Sequence, residues 1–293
     1  MMKKQPQFPN YFADAESYYS NAKYVIFGIP YDKTSSFRHG SKEGPDAIRH
    51  ASWNFESFDL LTKIDFSKIP VHDYGNIDRI SHLNPNDMIK KINNFSKRIL
   101  QDSKIPIGIG GEHSITSGII KSIPSDSIVL IFDAHLDYRE SYENEVFNHA
   151  CTTKRIVDNI PSENIIILGV RSAEKNEYEN AKKDNVSFIE SSKIQKEGML
   201  SIIKDIKQQI GQQQIYLSID IDVIDPGYAP GTGTPEPFGL NPFDICIAFD
   251  KLKDNLMGFD IMEVNPLFDH GQTAMLAAKY VRYGIETMNN KKI

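Results

Sequence analysis

The 293-residue sequence is poor in cysteine, contains a single tryptophan and lacks any long apolar run. Its two cysteines, Cys151 and Cys246, cannot build a disulfide framework, which favours a reducing compartment. No stretch approaches the roughly 20 apolar residues that a transmembrane helix needs, and the N-terminal MMKKQPQFPNYF lacks the apolar core of a signal peptide. These absences predict a cytoplasmic protein that does not enter a membrane.

An excess of basic residues is also missing. The 33 Lys and Arg residues are outnumbered by 39 Asp and Glu residues, which gives a net charge of -6. Nucleic-acid-binding proteins usually carry a basic excess, so this balance argues against a nucleic-acid partner. It is compatible with a small cationic substrate. Apolar and charged fractions of 40% and 25% are those of an ordinary globular domain.

Short runs rich in Ile and Val alternate with longer amphipathic segments along the whole chain. Several short runs are apolar nearly throughout, which is typical of strands buried on both faces of a parallel sheet. The alternation predicts one α/β domain over residues 1–293, with a mostly parallel sheet and helices on both faces. Predicted strands span 24–30, 105–110, 127–133, 164–170, 186–189, 214–220 and 257–264; predicted helices span 84–101, 114–122, 149–159, 174–184, 196–209, 242–253 and 273–288.

The most informative motif is FDAHLD, in which Asp133, His135 and Asp137 follow an apolar strand. Side chains alternate along a strand, so these three residues project to one side. Three ionisable groups together are costly unless a cation compensates them. Asp133 and Asp137 would lie about 13 Å apart in a fully extended chain. The chain must therefore curve after the strand, or the two carboxylates must serve different metals.

Two further strands end in the same kind of residue. SIDID places Asp220 and Asp222 at alternate positions, and GGEHS places His113 at the start of a helix after a glycine turn. Ligands of α/β folds bind beyond the carboxyl ends of the strands. Alone, either of these two motifs would be an ordinary turn or loop. Together, two imidazoles and four carboxylates predict two metals about 3.5–4 Å apart, with a bridging water as nucleophile. A ligand set rich in oxygen and without cysteine favours Mn²⁺.

These segments, GGEHSIT, FDAHLD and SIDIDVIDPGYAPGTGTPEP, resemble the ureohydrolase family of arginases and agmatinases. The resemblance covers nearly the whole chain, including GIPYDKTSSFRHGSKEGPDAIRHAS and DIMEVNPLFDHGQTAMLAAKYV. It implies an arginase-like three-layer α/β/α sandwich, two manganese ions per subunit, and a trimeric or hexameric homo-oligomer.

The resemblance also implies a role for each site residue. His113, Asp133, Asp137 and Asp220 would hold one manganese. Asp133, His135, Asp220 and Asp222 would hold the other, with Asp133 and Asp220 bridging. Asp137 would in addition hydrogen-bond a bridging hydroxide that attacks the guanidinium carbon. His149 would shuttle a proton to the leaving amine, and Glu263 would pair with the substrate guanidinium.

Among the guanidine substrates, the resemblance favours agmatine. Arginases carry an Asn for carboxylate binding where this chain has Arg139, and DAHLDYRESYENEVFNHACTTKRI is more similar to agmatinases of the archaeal type. Agmatine lacks the carboxylate, so an acidic rim would suit its terminal ammonium, although such acids are equally typical of a solvated loop. The acids considered are Glu140, Glu143, Glu145 and Glu236.

Two positions depart from the family pattern. Phe238 stands where many agmatinases have glycine, and would narrow the pocket or stack on a substrate. Leu136 replaces a frequent small Thr and is expected to pack in the interior. The alternatives are therefore another ureohydrolase, acting on arginine, guanidinobutyrate or formiminoglutamate, and an inactive metal-binding relative. A two-metal phosphoesterase is disfavoured because the metal motifs contain no Arg or Lys for a phosphate.

Overall fold

A single eight-stranded, parallel sheet forms the centre of the computed structural model, which describes residues 7–290. The strand order is β2-β1-β3-β8-β7-β4-β5-β6, and each neighbouring pair is parallel. All carboxyl ends therefore meet at one edge of the sheet. The strands are β1 Tyr24–Ile29, β2 Val71–Asn76, β3 Ile105–Gly110, β4 Ile128–Phe132, β5 Ile165–Val170, β6 Ser187–Glu190, β7 Ile215–Asp220 and β8 Leu256–Met262.

Continuous apolar sequence explains the central strands. Every residue of β1, β4, β5 and β7 is buried, as expected for a sheet covered on both faces. All seven predicted strands occur. The sequence prediction omitted β2, whose run Val-His-Asp-Tyr-Gly-Asn is too polar to indicate a strand. Its buried Asp73 is compensated by the equally buried Arg49, at 2.8 Å, a partner that only the fold brings near.

Nine α-helices occur in the described part of the chain. They are α1 Gly44–Ser52, α2 Pro85–Gln101, α3 Ser114–Ile120, α4 Thr152–Val157, α5 Lys175–Lys183, α6 Ser191–Glu197, α7 Met199–Ile210, α8 Pro242–Leu252 and α9 Gln272–Asn289. Asn84 caps α2, since its side chain accepts a hydrogen bond from the Asp87 backbone N–H. The prediction of one helix over 196–209 was wrong at its start, because Gly198, with φ of 83°, separates α6 from α7.

Helices cover both faces of the sheet. Apolar side chains of α1 and α6–α9 join one buried cluster, and those of α2–α5 join a second cluster on the opposite face. Burying an Ile or Phe side chain contributes about 1.5–3 kcal/mol, so both interfaces are strongly stabilising. The predicted three-layer α/β/α sandwich is confirmed. No helix within residues 7–290 is long and apolar enough to cross a membrane.

Candidate active site

The six predicted metal ligands converge at the carboxyl edge of the sheet. β3, β8, β7 and β4 are consecutive there, so the residues that follow them are neighbours in space. His113 precedes α3, Asp220 ends β7, and the FDAHLD motif follows β4. A cavity of about 230 Å³ opens above them. We call these six residues the base of the cavity, although Asp133 lies beneath the lining formed by His113, His135, Asp137, Asp220 and Asp222.

Two overlapping triads form this base. His113, Asp133 and Asp220 can offer ligand atoms within 4.8 Å of one another, and so can Asp133, His135 and Asp222. His113 Nδ1 lies 3.0 Å from Asp133 Oδ2 and 3.3 Å from both Asp137 Oδ2 and Asp220 Oδ2. Asp133 belongs to both triads, as its predicted bridging role requires. Asp220 belongs only to the first, and its Oδ1 accepts the Asp222 backbone N–H.

The second triad is arranged around the imidazole of His135. Its Nδ1 lies 3.5 Å from Asp133 Oδ1 and 3.1 Å from Asp222 Oδ2. Asp222 is held from outside the triad, since Oδ1 accepts the Ala134 N–H and Oδ2 accepts the Thr234 hydroxyl. These two hydrogen bonds hold the Asp222 carboxylate in place beside His135.

Orphaned polar atoms indicate that the base fits a metal. Both His113 Nδ1 and Asp133 Oδ2 are buried without a hydrogen-bond partner, although they face each other. His113 Nε2 donates to Ser218 Oγ at 3.1 Å, and Ser218 in turn donates to Asp260 Oδ1 at 2.6 Å. Because Nε2 carries the proton in this series of hydrogen bonds, the neutral imidazole has its lone pair on Nδ1, the atom that faces the carboxylates. Unpaired buried groups are costly, and a cation would satisfy them.

Crowding of charge shifts the titration of these groups. Burial, with the neighbouring Asp133, raises the pKa of Asp137 to about 7, and burial with Asp222 and Asp133 raises the pKa of Asp220 well above its usual range. Burial opposes protonation of His113, but the facing carboxylates of Asp133, Asp137 and Asp220 outweigh it and raise its pKa, so a proton would compete with a cation for Nδ1. Carboxylates that resist ionisation together are those that a divalent cation would stabilise.

Two candidate catalytic residues have left-handed backbone conformations. Asp137 has φ of 49° and Glu263 has φ of 60°. For Asp137, this bend brings its carboxylate back to His113, so the curvature expected from the sequence is present. Left-handed residues other than glycine cost about 1–3 kcal/mol and concentrate at functional sites.

Glu263 enters the base from β8, between β3 and β7. Its Oε1 accepts a hydrogen bond from the backbone N–H of His113 at 2.8 Å, and the Glu263 backbone N–H donates to the Gly111 carbonyl oxygen. A Cβ added at Gly233 would lie 3.5 Å from Oε2, so Gly233 keeps that side of the carboxylate open. Burial, together with the buried Glu112, raises the pKa of Glu263 to about 8. A cation beside Oε2 would favour the charged form.

His149 lines the same cavity from the opposite side. It begins a short 3₁₀ turn, His149–Cys151, capped by Asn148 and followed by α4, where the sequence predicted one continuous helix. Its Nε2 lies 3.3 Å from Ser36 Oγ, and its Nδ1 is buried without a partner. Burial, opposed by the Thr34 hydrogen bond and assisted by His135 and His113, lowers its pKa to about 4.

The outer wall of the cavity is formed by Arg38, Arg139, Tyr142, Glu174 and Glu177. The guanidinium of Arg139 lies 4.9 Å from the centre of the Tyr142 ring, and its Nε is 3.6 Å from Glu177 Oε2. Glu177 also accepts the backbone N–H groups of Tyr138 and Glu174. Sequence reasoning missed Arg38, Glu174 and Glu177 as site residues, although the helix predicted over 174–184 does follow a strand.

The acidic rim expected from sequence is largely elsewhere. Neither Glu140 nor Glu145 lines the cavity. Glu140 pairs with Lys154 at 3.1 Å and with Arg155 at 3.4 Å, and Glu145 accepts a hydrogen bond from the Phe147 N–H. Of the four acids, Glu236 comes nearest, with Oε1 3.9 Å from His135 Nε2. The solvated-loop interpretation therefore holds for Glu140, because local cations neutralise it.

Phe238 does not narrow the pocket. Its ring is 79% exposed and lies outside the cavity lining, so the expectation of substrate stacking was wrong. Its φ of 66° explains why glycine suits this position. Leu136 is completely buried, as expected.

Comparison with known proteins gives the family. The model of the arginase family matches residues 22–285. The chain belongs to the arginase family. It is 33% identical to an agmatinase of Bacillus cereus over 92% of this chain and 93% of the relative. It is 34% identical to the N(1)-aminopropylagmatine ureohydrolase of Thermococcus kodakarensis, over 91% of both.

A solved structure extends the similarity to the fold. The agmatine ureohydrolase of Thermoplasma volcanium superposes with a TM-score of 0.92 at 40% identity, covering 96% of this chain and 94% of that one. The resemblance stated from the sequence, the arginase-like fold and the assignment to the ureohydrolase class of hydrolases are confirmed. The single-domain extent, the roles of individual residues, the oligomer and the cytoplasmic location stay predictions.

Proposed function

We propose that the protein is an agmatinase, which hydrolyses the guanidinium of agmatine to putrescine and urea with two Mn²⁺ ions. His113, Asp133, Asp137 and Asp220 would hold one ion, and Asp133, His135, Asp220 and Asp222 the other. The two triads that share Asp133 support this assignment. When bound, the ions would supply a nucleophile from water near neutral pH.

Glu263 would bind the substrate guanidinium. A planar cation with several N–H donors pairs well with a carboxylate, and such charge-assisted bonds fix its orientation. Because Oε1 is already held by the His113 N–H, Oε2 is the oxygen left for the substrate. The elevated pKa of Glu263 supports a site that takes a cation.

His149 would move the proton. Its lowered pKa keeps the imidazole neutral at pH 7, so it must take up a proton during the reaction before giving it to the leaving amine. A group that both accepts and returns the proton acts as a shuttle. Its unpartnered Nδ1 and the nearby Ser36 hydroxyl leave room for this exchange.

One observation carries the preference for agmatine. Arg139 stands where arginases place a carboxylate-binding Asn, but its guanidinium is already engaged by Glu177 and Tyr142. Arg139 therefore offers little free positive charge to a substrate carboxylate, while the exposed Glu174 of the cavity lining offers a carboxylate for a terminal ammonium. The agmatinase relatives point to the same substrate.

A second candidate is a guanidine with a carboxylate at its far end, such as guanidinobutyrate. It is favoured by Arg38, which also lines the cavity and stacks between Phe37 and Phe268. No carboxylate pairs with Arg38 among residues 7–290.

Urea release from manganese-loaded protein distinguishes these candidates. Agmatine, N(1)-aminopropylagmatine, arginine and 4-guanidinobutyrate would be compared at equal concentration. A preference for agmatine over the two carboxylates is expected. A preference for either carboxylate would overturn the substrate assignment while leaving the ureohydrolase class intact.

A further inference from the structure

Glu112 is a buried acid that the proposed reaction does not use. Its side chain is completely inaccessible, and no Lys, Arg or His of the described residues forms an ion pair with it. Three neutral donors satisfy it instead. Thr34 donates its backbone N–H to Oε2 at 2.7 Å and its hydroxyl to Oε1 at 2.6 Å, and Ser114 donates its hydroxyl to Oε1.

The Thr34 hydroxyl connects this acid to His149. A hydroxyl has one hydrogen, and the Thr34 hydroxyl donates it in a hydrogen bond to the Glu112 carboxylate. The oxygen therefore turns a lone pair toward the His149 backbone N–H, which donates to it at 3.1 Å. Glu112 thus fixes the direction of a bond that begins the 3₁₀ turn carrying His149.

The surrounding backbone makes this connection short and rigid. Gly111 approaches Tyr31 so closely that a Cβ would lie 1.9 Å from the Tyr31 carbonyl oxygen. The Glu112 N–H donates to that same oxygen at 2.8 Å. The loop of residues 31–38 is therefore clamped to the turn that carries His113, and Ser36 of this loop also faces His149 Nε2.

We infer that Glu112 acts through Thr34 to position His149 over the base of the cavity. Glu112 precedes the metal ligand His113, so one turn sets both the metal site and the proton shuttle. Glu112 and Thr34 are positioning residues, since neither faces the reacting atoms. The inference rests on the proposed role of His149.

Thr34→Val and Thr34→Ser test this inference as a matched pair. Valine keeps the shape of threonine but removes the hydroxyl, whereas serine keeps the hydroxyl. In manganese-loaded protein, Thr34→Val is expected to lower kcat for urea release at least about 10-fold, because a misplaced catalytic group can cost up to about 100-fold. KM and the manganese content should change less than 2-fold. Thr34→Ser should restore kcat to within about 3-fold of the parent.

A second readout does not depend on the substrate. Hydrogen exchange of the His149 amide, followed by mass spectrometry of peptides spanning 147–152, should be faster in Thr34→Val and unchanged in Thr34→Ser. Exchange should also be faster in Glu112→Gln, because either orientation of its amide sets an NH2 group against one of the two Thr34 donors.

Parental kcat and parental exchange in Thr34→Val would overturn the inference. An equal loss of kcat in both Thr34 variants would overturn it too, because it would show that the hydroxyl is not the feature that matters. If all proteins fail to release urea while exchange still separates valine from serine, the positioning is supported and the proposed function fails.

Discussion

The base and the outer wall of the cavity are built in different ways. The base consists of residues at or just after the ends of neighbouring central strands, nearly all buried and held by backbone hydrogen bonds. The outer wall comes from loops and from the start of α5, and Arg139 remains one-third exposed. Rigid strand ends suit chemistry that needs fixed geometry, whereas loops can vary to suit a substrate. Changes in the base should therefore abolish turnover, and changes in the outer wall should alter selectivity.

The largest effect is expected for Asp133→Asn, because Asp133 serves both triads. Loss of a ligand should exceed the 10–100-fold typical of residues outside the coordination sphere, so urea release should fall more than about 100-fold. Metal analysis of the purified variant should find fewer than two manganese ions per chain. Asp225→Asn is the matched control, since the Asp225 carboxylate accepts the backbone N–H groups of Gly227 and Gly239 and belongs to neither triad. Two ions and parental turnover in Asp133→Asn would contradict the account of the base.

Glu263→Gln should have the next largest effect. It removes a charged partner of the guanidinium, worth about 1.5–3 kcal/mol, and should lower kcat/KM about 10–100-fold. Manganese content should stay at two ions, because Glu263 belongs to neither triad. A parental kcat/KM would show that Glu263 does not bind substrate, and lost manganese would show that it supports the metals instead.

Arg139→Met sharpens the comparison at the outer wall. Methionine keeps an apolar stem on Tyr142 and frees Glu177 to face a cationic substrate. Partly exposed ion pairs contribute about 0–1 kcal/mol, so kcat/KM for agmatine relative to 4-guanidinobutyrate should rise by up to about 5-fold. The kcat for agmatine should change little. A fall in this ratio, or a large fall in kcat, would mean that Arg139 belongs functionally with the base.

The smallest effect concerns strain outside the cavity. Phe238 is exposed and has positive φ, whereas the positive φ of Asp137 and Glu263 directs carboxylates into the base. Phe238→Gly relieves about 1–2 kcal/mol of backbone strain but costs about 0.5–1 kcal/mol of chain entropy. Its free energy of unfolding should rise by up to about 1 kcal/mol, with unchanged turnover.

Tyr228→Gly provides the control for Phe238→Gly. Tyr228 is also an exposed aromatic, but it does not have positive φ. Denaturant unfolding of Tyr228→Gly should show a small loss of stability. Equal changes in the free energy of unfolding of the two variants would show that the positive φ of Phe238 does not strain the backbone.

The same contrast explains what the sequence could predict. The base was predictable because each proposed metal ligand belongs to a local motif that follows an apolar strand, as in FDAHLD. The convergence of these residues was predictable too, because the carboxyl ends of parallel strands lie at the same edge of the sheet. The pairing of Arg139 with Glu177 joins a loop residue to a residue of α5, 38 positions apart, and no local pattern indicates it. For Glu140 the sequence left a rim acid and a solvated loop open, because its partners Lys154 and Arg155 belong to α4. β2 was missed because its polar residues are compensated by another element.

Manganese binding to the parent protein and to Asp222→Asn directly tests whether the two triads form one site for two ions. Metal analysis, combined with electron paramagnetic resonance, reports both the number of ions and whether they are close enough to couple. We expect two coupled manganese ions per chain in the parent, and a single uncoupled ion in Asp222→Asn, which keeps only the triad of His113, Asp133 and Asp220. Two uncoupled ions, or at most one ion in the parent, would contradict a shared site built on Asp133.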